Sequence, residues 1–483
     1  MDFTITGKER ITLFGFMALG LICLIATFFW GDPVDISGHH TRFWANFLHN
    51  SVFFTGIAFT ALFVMAAFIT AYAGWFTLVK RFWEAFSMFI GVGIVLLGIF
   101  GIATYFNMHD LYHWNVPGVT DQSSPAYDEI ISNKSGFLNK NVFLFGTLAV
   151  LALWFFFAMK LRSISKSEDV EGSKGDFSFH YNIRWWSALF LPIGGFTSAF
   201  VIWQWVMSID SHWYSTMFAW YATASWFVSC LCITILMVIY LKSRGFLKGI
   251  TGEHLHDLGK YLFAFSIFWT YLWFSQYMLI WYANVGEETI YFRTRVDQYP
   301  VLFYGNLLIN FVLPFFVLMR NSTKRKYGTL VFVCVLVLFG HWWDFFQMIR
   351  PGVLHTAHEI HAGHGSHADA GHDTKDVSGH SHDDHSDHAA DHHSEGHGDH
   401  TAHAGDHGDH SAHGGDHDDH ADDHGGHGHS TFTAGFTLPG FLDIGTFLGF
   451  FAFFLWFVMG RMTTAKLIPE NDPYLEESLN HHT

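Results

Sequence analysis

Few residue types in this 483-residue chain can move a proton or hold a polar ligand, and many of them lie inside long apolar runs. His341, Asp344 and Gln347 step by three and therefore share one face of a helix. Asn306 and Asn310 stand one turn apart, also on one face. Gln204 and Asp210 close another apolar run, with His212 two residues on, and Gln276 and His49 sit within two more. Glu84 lies at the opposite end of its run, beside Lys80 and Arg81. Ionisable and amide side chains are costly in hydrocarbon, so each is expected to face a bundle interior or a wet cavity. An Asp beside a His can fix its tautomer and stabilise its charged form, which suits proton transfer.

Each of these positions also has an ordinary reading. Interhelical hydrogen bonds worth roughly 0.5–2 kcal/mol account for single Asn and Gln residues. Asp210 and His212 can form an acid–base or metal pair, but Ser208 or Asp210 can equally cap the helix that follows. For His341 and Asp344, separated by Trp342 and Trp343, function and structure weigh about evenly.

The elements that carry these residues are membrane spans. Half of the chain is hydrophobic, 19% is aromatic and only 14% is charged, far from the usual balance of a soluble domain. Runs long enough to cross a bilayer occur at 11–30, 42–75, 82–107, 141–160, 185–207, 213–241, 258–283, 299–319, 328–350 and 440–460. The first follows Lys8 and Arg10 but is full-length and ends without small residues for cleavage, so it is expected to remain as a helix. These runs predict an all-α integral membrane protein of ten transmembrane helices. Nine belong to 1–350 and the tenth to 440–465, with a tail at 466–483. Alternate connections hold 19 and 7 of the 26 Lys and Arg residues, which predicts that both termini are cytoplasmic. The polar positions then gather toward the outer side, except Glu84. Cys23, Cys230, Cys232 and Cys334 lie in apolar runs and make no metal or haem motif, which reads as small apolar packing.

The net charge of −16 is a local property. Between Pro351 and Ser430 there are 17 acidic residues against Lys375 alone, while the rest of the chain is balanced. The same stretch holds 23 His, many Asp and Gly, and no aromatic residue. Its composition predicts a disordered connection over 351–439 on the extracytoplasmic side. Imidazoles alternating with carboxylates, as at His382, His385, His388, His397, His400 and His403, make weak and interchangeable sites for borderline metals.

Three strings, SIDSHWYSTMFAWY (208–221), QYMLIWYANVGEET (276–289) and GHWWDFFQMIRPG (340–352), resemble a membrane subunit of bacterial alternative complex III. That subunit belongs to the NrfD or polysulfide-reductase-like group and is labelled quinone-binding subunit 2. The resemblance spans the helical body and leaves out the His-rich segment. It implies ten helices whose central eight form two four-helix bundles, in a bacterial inner membrane. It also implies partners: a sister NrfD-like subunit, multihaem and mono-haem cytochromes c, an iron–sulfur protein and a terminal oxidase. Menaquinone or ubiquinone would serve the complex, with haem c and iron–sulfur clusters held by the partners. This chain, which carries no redox-centre motif, would bind quinone, conduct protons or brace the assembly.

Two other classes compete with this reading. A metal transporter with a His-rich gathering loop should show paired intramembrane ligands at helical spacing, and the body offers only His49 and the His341–Asp344 step. A haem b protein needs two facing His, for which His49 and His341 are the available pair. Nothing in the chain points to nucleic acid.

Overall fold

The computed structural model describes residues 3–30, 38–173, 176–368, 433 and 435–481, and of the side chains from 358 to 368 only that of Ile360. The fold is entirely helical among these residues. In chain order the helices are α1 (Gly7–Phe29), α2 (Thr41–Thr70), α3 (Lys80–Ser87), α4 (Ile90–Tyr105) and α5 (Glu129–Lys134). Next come α6 (Thr147–Glu171), α7 (Ser178–Trp205), α8 (Thr216–Ser243), α9 (Gly252–Ala283) and α10 (Gly286–Gln298). The last are α11 (Pro300–Leu307), α12 (Leu313–Leu318), α13 (Tyr327–Ala368), α14 (Phe441–Met462) and α15 (Leu475–Leu479).

Nine helical stretches among the described residues are long and apolar enough to cross a membrane, and the chain is a multi-pass membrane protein. They coincide with nine of the ten expected runs. The remaining run, 258–283, lies in α9, whose 32 residues are ample in length. Its apolar stretch is diluted by Trp269, Tyr271, Trp273, Gln276 and Tyr277, so it falls outside the set of nine.

Helix α2 is the buried axis: almost every residue from Thr41 to Met65 is enclosed, and α3, α4, α7 and α8 pack around it. Helices α1 and α14 pair at the periphery, where Gly20 and Gly449 meet backbone to backbone. A Cβ on Gly20 would stand 2.3 Å from the Gly449 Cα, so only glycine permits this approach.

One expected helix boundary moves. The chain does not leave the helix at Pro351, because α13 runs through it to Ala368. Most of the expected 351–439 connection, including His382, His385, His388, His397, His400 and His403, lies outside the described residues. The C-terminal segment is held against the helices up to His481. Asn471 donates to the carbonyls of Glu168, Asp169 and Gly172, closing the α6 C-terminus, whose last carbonyls have no helical partner. His254 donates to the Ser478 carbonyl, the Ser478 hydroxyl donates to the Trp75 carbonyl, and Lys80 donates to Asp472 at 2.7 Å.

Both partners of the Lys80–Asp472 pair are almost fully buried, so Asp472→Ala leaves an ammonium with only the longer 3.4 Å contact to Glu168. Loss of one partner of a buried pair is expected to cost about 3 kcal/mol, read as a lower melting temperature in detergent. Burial alone would raise the Asp472 carboxyl, but Lys80 and the Tyr474 amide outweigh it and hold the group below the ordinary carboxylate range. Its contribution is therefore complete above that range and is lost as pH falls through the depressed value. The melting difference between wild type and Asp472→Ala should shrink on acidification, and a pH-independent difference would contradict the pairing.

Candidate functional site

Asp344 lies in the apolar half of α13 and is fully buried, so its carboxylate needs partners from neighbouring helices. It has three. Tyr221 of α8 donates its hydroxyl to Oδ1, Asn306 of α11 donates to the same oxygen at 2.7 Å, and Trp269 of α9 donates to Oδ2 at 3.0 Å. Asn310 donates in turn to the Asn306 side-chain oxygen at 2.6 Å and to the Gly340 carbonyl at 2.9 Å. That second bond depends on a glycine, because a Cβ on Gly340 would stand 2.2 Å from Asn310 Oδ1.

His341 is equally buried, but it does not hydrogen-bond directly to Asp344: Nδ1 stands 4.0 Å from the carboxylate. Its Nδ1 meets the Ser225 hydroxyl at 2.9 Å. The expected direct His–Asp hydrogen bond is therefore absent, and Nε2 of His341 has no hydrogen-bond partner among the described residues. Chemically this is a carboxylate with three fixed donors, 4.0 Å from an imidazole whose second nitrogen has no partner among the described residues. Such a set can exchange a proton or hold a polar head group.

A second cluster lies further along α13. Pro351 lacks the amide that would bond the Gln347 carbonyl four residues back. Arg295 of α10 takes that role: its Nε reaches the Gln347 carbonyl at 3.4 Å and Nη2 reaches the Met348 carbonyl at 3.3 Å. The same guanidinium donates to Asp210 Oδ2 at 3.0 Å and lies 3.4 Å over the Tyr291 ring, which stacks on Trp213. Helix α13 therefore continues through its proline because a buried cation replaces the missing donor. Asp210, Arg295 and Tyr291 line a cavity of about 240 Å³ with His113, His212 and Glu287.

The remaining expected residues are dispersed. Asp210 and His212 do not pair, since His212 Nε2 meets Asp128 at 2.6 Å, and Ser208 bonds back to the Gln204 carbonyl instead of capping α8. Gln204 itself donates to the Phe137 carbonyl. Gln276 is buried in α9 with its amide nitrogen lacking a hydrogen-bond partner among the described residues. His49 donates from Nε2 to the Trp342 carbonyl and stacks on that indole. Glu84 belongs to a buried ion cluster, accepting from Arg81 at 2.6 Å and from Ser165 at 2.6 Å, with Arg81 also on Asp169. That environment makes it a structural counter-ion and separates it from Asp344.

Sequence reasoning missed Tyr221, Trp269, Ser225, Arg295 and Arg350. Arg350 donates to Asn46 at 2.6 Å and to Asp443 at 3.1 Å, tying α13 to α2 and α14. Its only sequence signal was a lone cation at the end of an apolar run.

No family model matches the chain, and no curated protein matches it.

Replacing Arg295 by Ala strands the Gln347 carbonyl and the Asp210 carboxylate together. The variant is expected to be about 3–5 kcal/mol less stable. Arg295→Lys should recover only part of this, because an ammonium cannot span Asp210 and both carbonyls with the planar fork of Arg. Thermal unfolding in detergent measures both. Equal stability of Arg295→Ala and wild type would contradict the helix-bridging role.

Proposed function

We propose that the chain is a non-redox membrane subunit of a quinol-oxidising respiratory complex of the alternative complex III type, and that the Asp344 centre carries protons there. The observation that carries this reading is the carboxylate itself, held by side chains of three other helices with the His341 imidazole 4.0 Å away. A buried ionisable group inside a membrane bundle is expensive to keep and is characteristically part of an ion or proton path. The three strings that resemble the family also converge. Tyr221 of the first meets Asp344 of the third, and Asp210, Glu287 and Pro351, one from each string, line a single cavity.

In this reading electrons stay on haem c and iron–sulfur clusters of partner subunits, including cytochromes c and a sister NrfD-like subunit. The ten-helix count, the bacterial inner membrane and the cytoplasmic termini belong to the same proposal. The positively charged ends of alternate helices support that orientation.

The test is affinity purification of the tagged chain from its native membrane. Haem c absorbance and an iron–sulfur signal should co-purify, with menaquinol or ubiquinol oxidation. In the same preparation, Asp344→Asn should leave the subunits assembled and lower turnover or its coupled proton release by about 10²-fold, the lower range for a positioned proton-transfer group. Recovery of the chain without haem would sink the assignment to this complex. Full turnover and coupling in Asp344→Asn would remove the proton role.

A further inference from the structure

Three surface segments place a second chemically coherent cluster away from the Asp344 centre. His113 comes from a short 3-10 turn at His113–Asn115, Asp128 precedes α5, and His212 lies in the connection before α8. One ligand atom from each of the three lies within 4.8 Å of the others. His212 Nε2 stands 2.6 Å from Asp128 Oδ2, and the His113 and His212 rings are 5.6 Å apart between centroids.

The cluster is built and is not a chance meeting of mobile side chains. Asp128 Oδ1 accepts the Ile131 amide at 2.9 Å as the α5 N-cap, which fixes the carboxylate and leaves Oδ2 for His212. From the other end of α5, Lys134 donates to the carbonyls of Ser211 at 2.8 Å and His212 at 3.1 Å. One short helix therefore grips the His212 segment by its side chain and its backbone. His113 and Asp128 are half-buried and His212 is exposed, so a solute can enter.

Two imidazoles and one carboxylate form a donor set suited to borderline divalent metals, which bind nitrogen and oxygen at about 2.0–2.2 Å in tetrahedral geometry. That geometry needs ligand atoms about 3.4 Å apart, so shifts of roughly 1 Å bring the three into range. Hard cations such as Mg²⁺ favour oxygen sets and fit poorly.

We propose that His113, Asp128 and His212 form a binding site for a divalent transition cation of the Zn²⁺ class, with a fourth position for water or for a ligand in the cavity that both histidines line. A bound ion joins the 113 turn, α5 and the 208–215 connection beside the Asp210–Arg295 pair. The site stands on its own residues and does not depend on the respiratory reading.

Because the other imidazoles of the chain are themselves candidate metal ligands, the test must resolve individual residues. The full-length protein in detergent is modified with diethyl pyrocarbonate at free Zn²⁺ levels fixed by a metal buffer, and each His is read by peptide mass spectrometry. His113 and His212 should be protected together, with one midpoint, while His39, which pairs with Asp110, stays unchanged. His212→Ala, at an exposed position, should abolish protection of His113. Asp128→Asn keeps the Oδ1 cap and should move the midpoint at least about tenfold to higher free Zn²⁺. Absence of protection, equal protection of His39, or protection of His113 that survives His212→Ala would overturn the site.

Discussion

A carboxylate sealed inside an apolar helical bundle is the constraint on which the rest of this structure depends. Leaving a charge of that kind unpaired would cost several kcal/mol, a large part of the net stability of an ordinary domain. Asp344 is covered by one hydroxyl, one indole N–H and one amide, from α8, α9 and α11. Each such bond to a charged acceptor is worth about 1.5–3 kcal/mol, so the three together are of the right size to offset the desolvation. The geometry then does more than stabilise. A one-turn slide of any of these helices, roughly 5.4 Å, would remove its donor, so the carboxylate fixes their register against α13.

The same logic recurs along α13 toward Pro351. Arg295 replaces the amide that proline lacks, and Arg350 joins Asn46 and Asp443. At the other end of the bundle, Lys80, Arg81, Glu84, Glu168, Asp169 and Asp472 form an ion cluster that holds the C-terminal segment against α6. Polar groups therefore sit at three depths with different duties. The ion cluster fixes a terminus, the Arg295 cluster sustains a helix through its proline, and of the three the Asp344 centre alone sets a sealed carboxylate 4.0 Å from a buried imidazole. That contrast is why proton chemistry is proposed at Asp344 and not at Glu84, although both are buried acids.

Much of this was legible in the chain. Apolar length and composition located the helices, because hydrocarbon leaves the backbone little alternative to the helix. Spacing placed His341 near Asp344 and joined Asn306 to Asn310, since side chains on one helix face cannot escape one another. The partners across helices were not legible. Tyr221 and Trp269 look like the interfacial aromatics that every membrane helix carries, and nothing local marks the one whose polar atom points inward. Asp128 sits in a connection without periodicity, so its meeting with His212 has no sequence signal. Pro351 looked like a helix end because its compensation comes from Arg295, 56 positions earlier in the chain. The hydropathy of α9 was lowered by its Trp and Tyr, and Trp269 among them donates to Asp344.

On the proposed function Asp344 changes its protonation during turnover, and redox-induced infrared difference spectroscopy on the proposed respiratory complex tests this most directly. Reduction by quinol should produce a protonated-carboxyl C=O band that shifts in D₂O and is missing from Asp344→Asn, with the remaining bands unchanged. A difference spectrum with the same carboxyl bands in wild type and Asp344→Asn would show that the carboxylate stays in one state, and would leave it as a structural anchor alone.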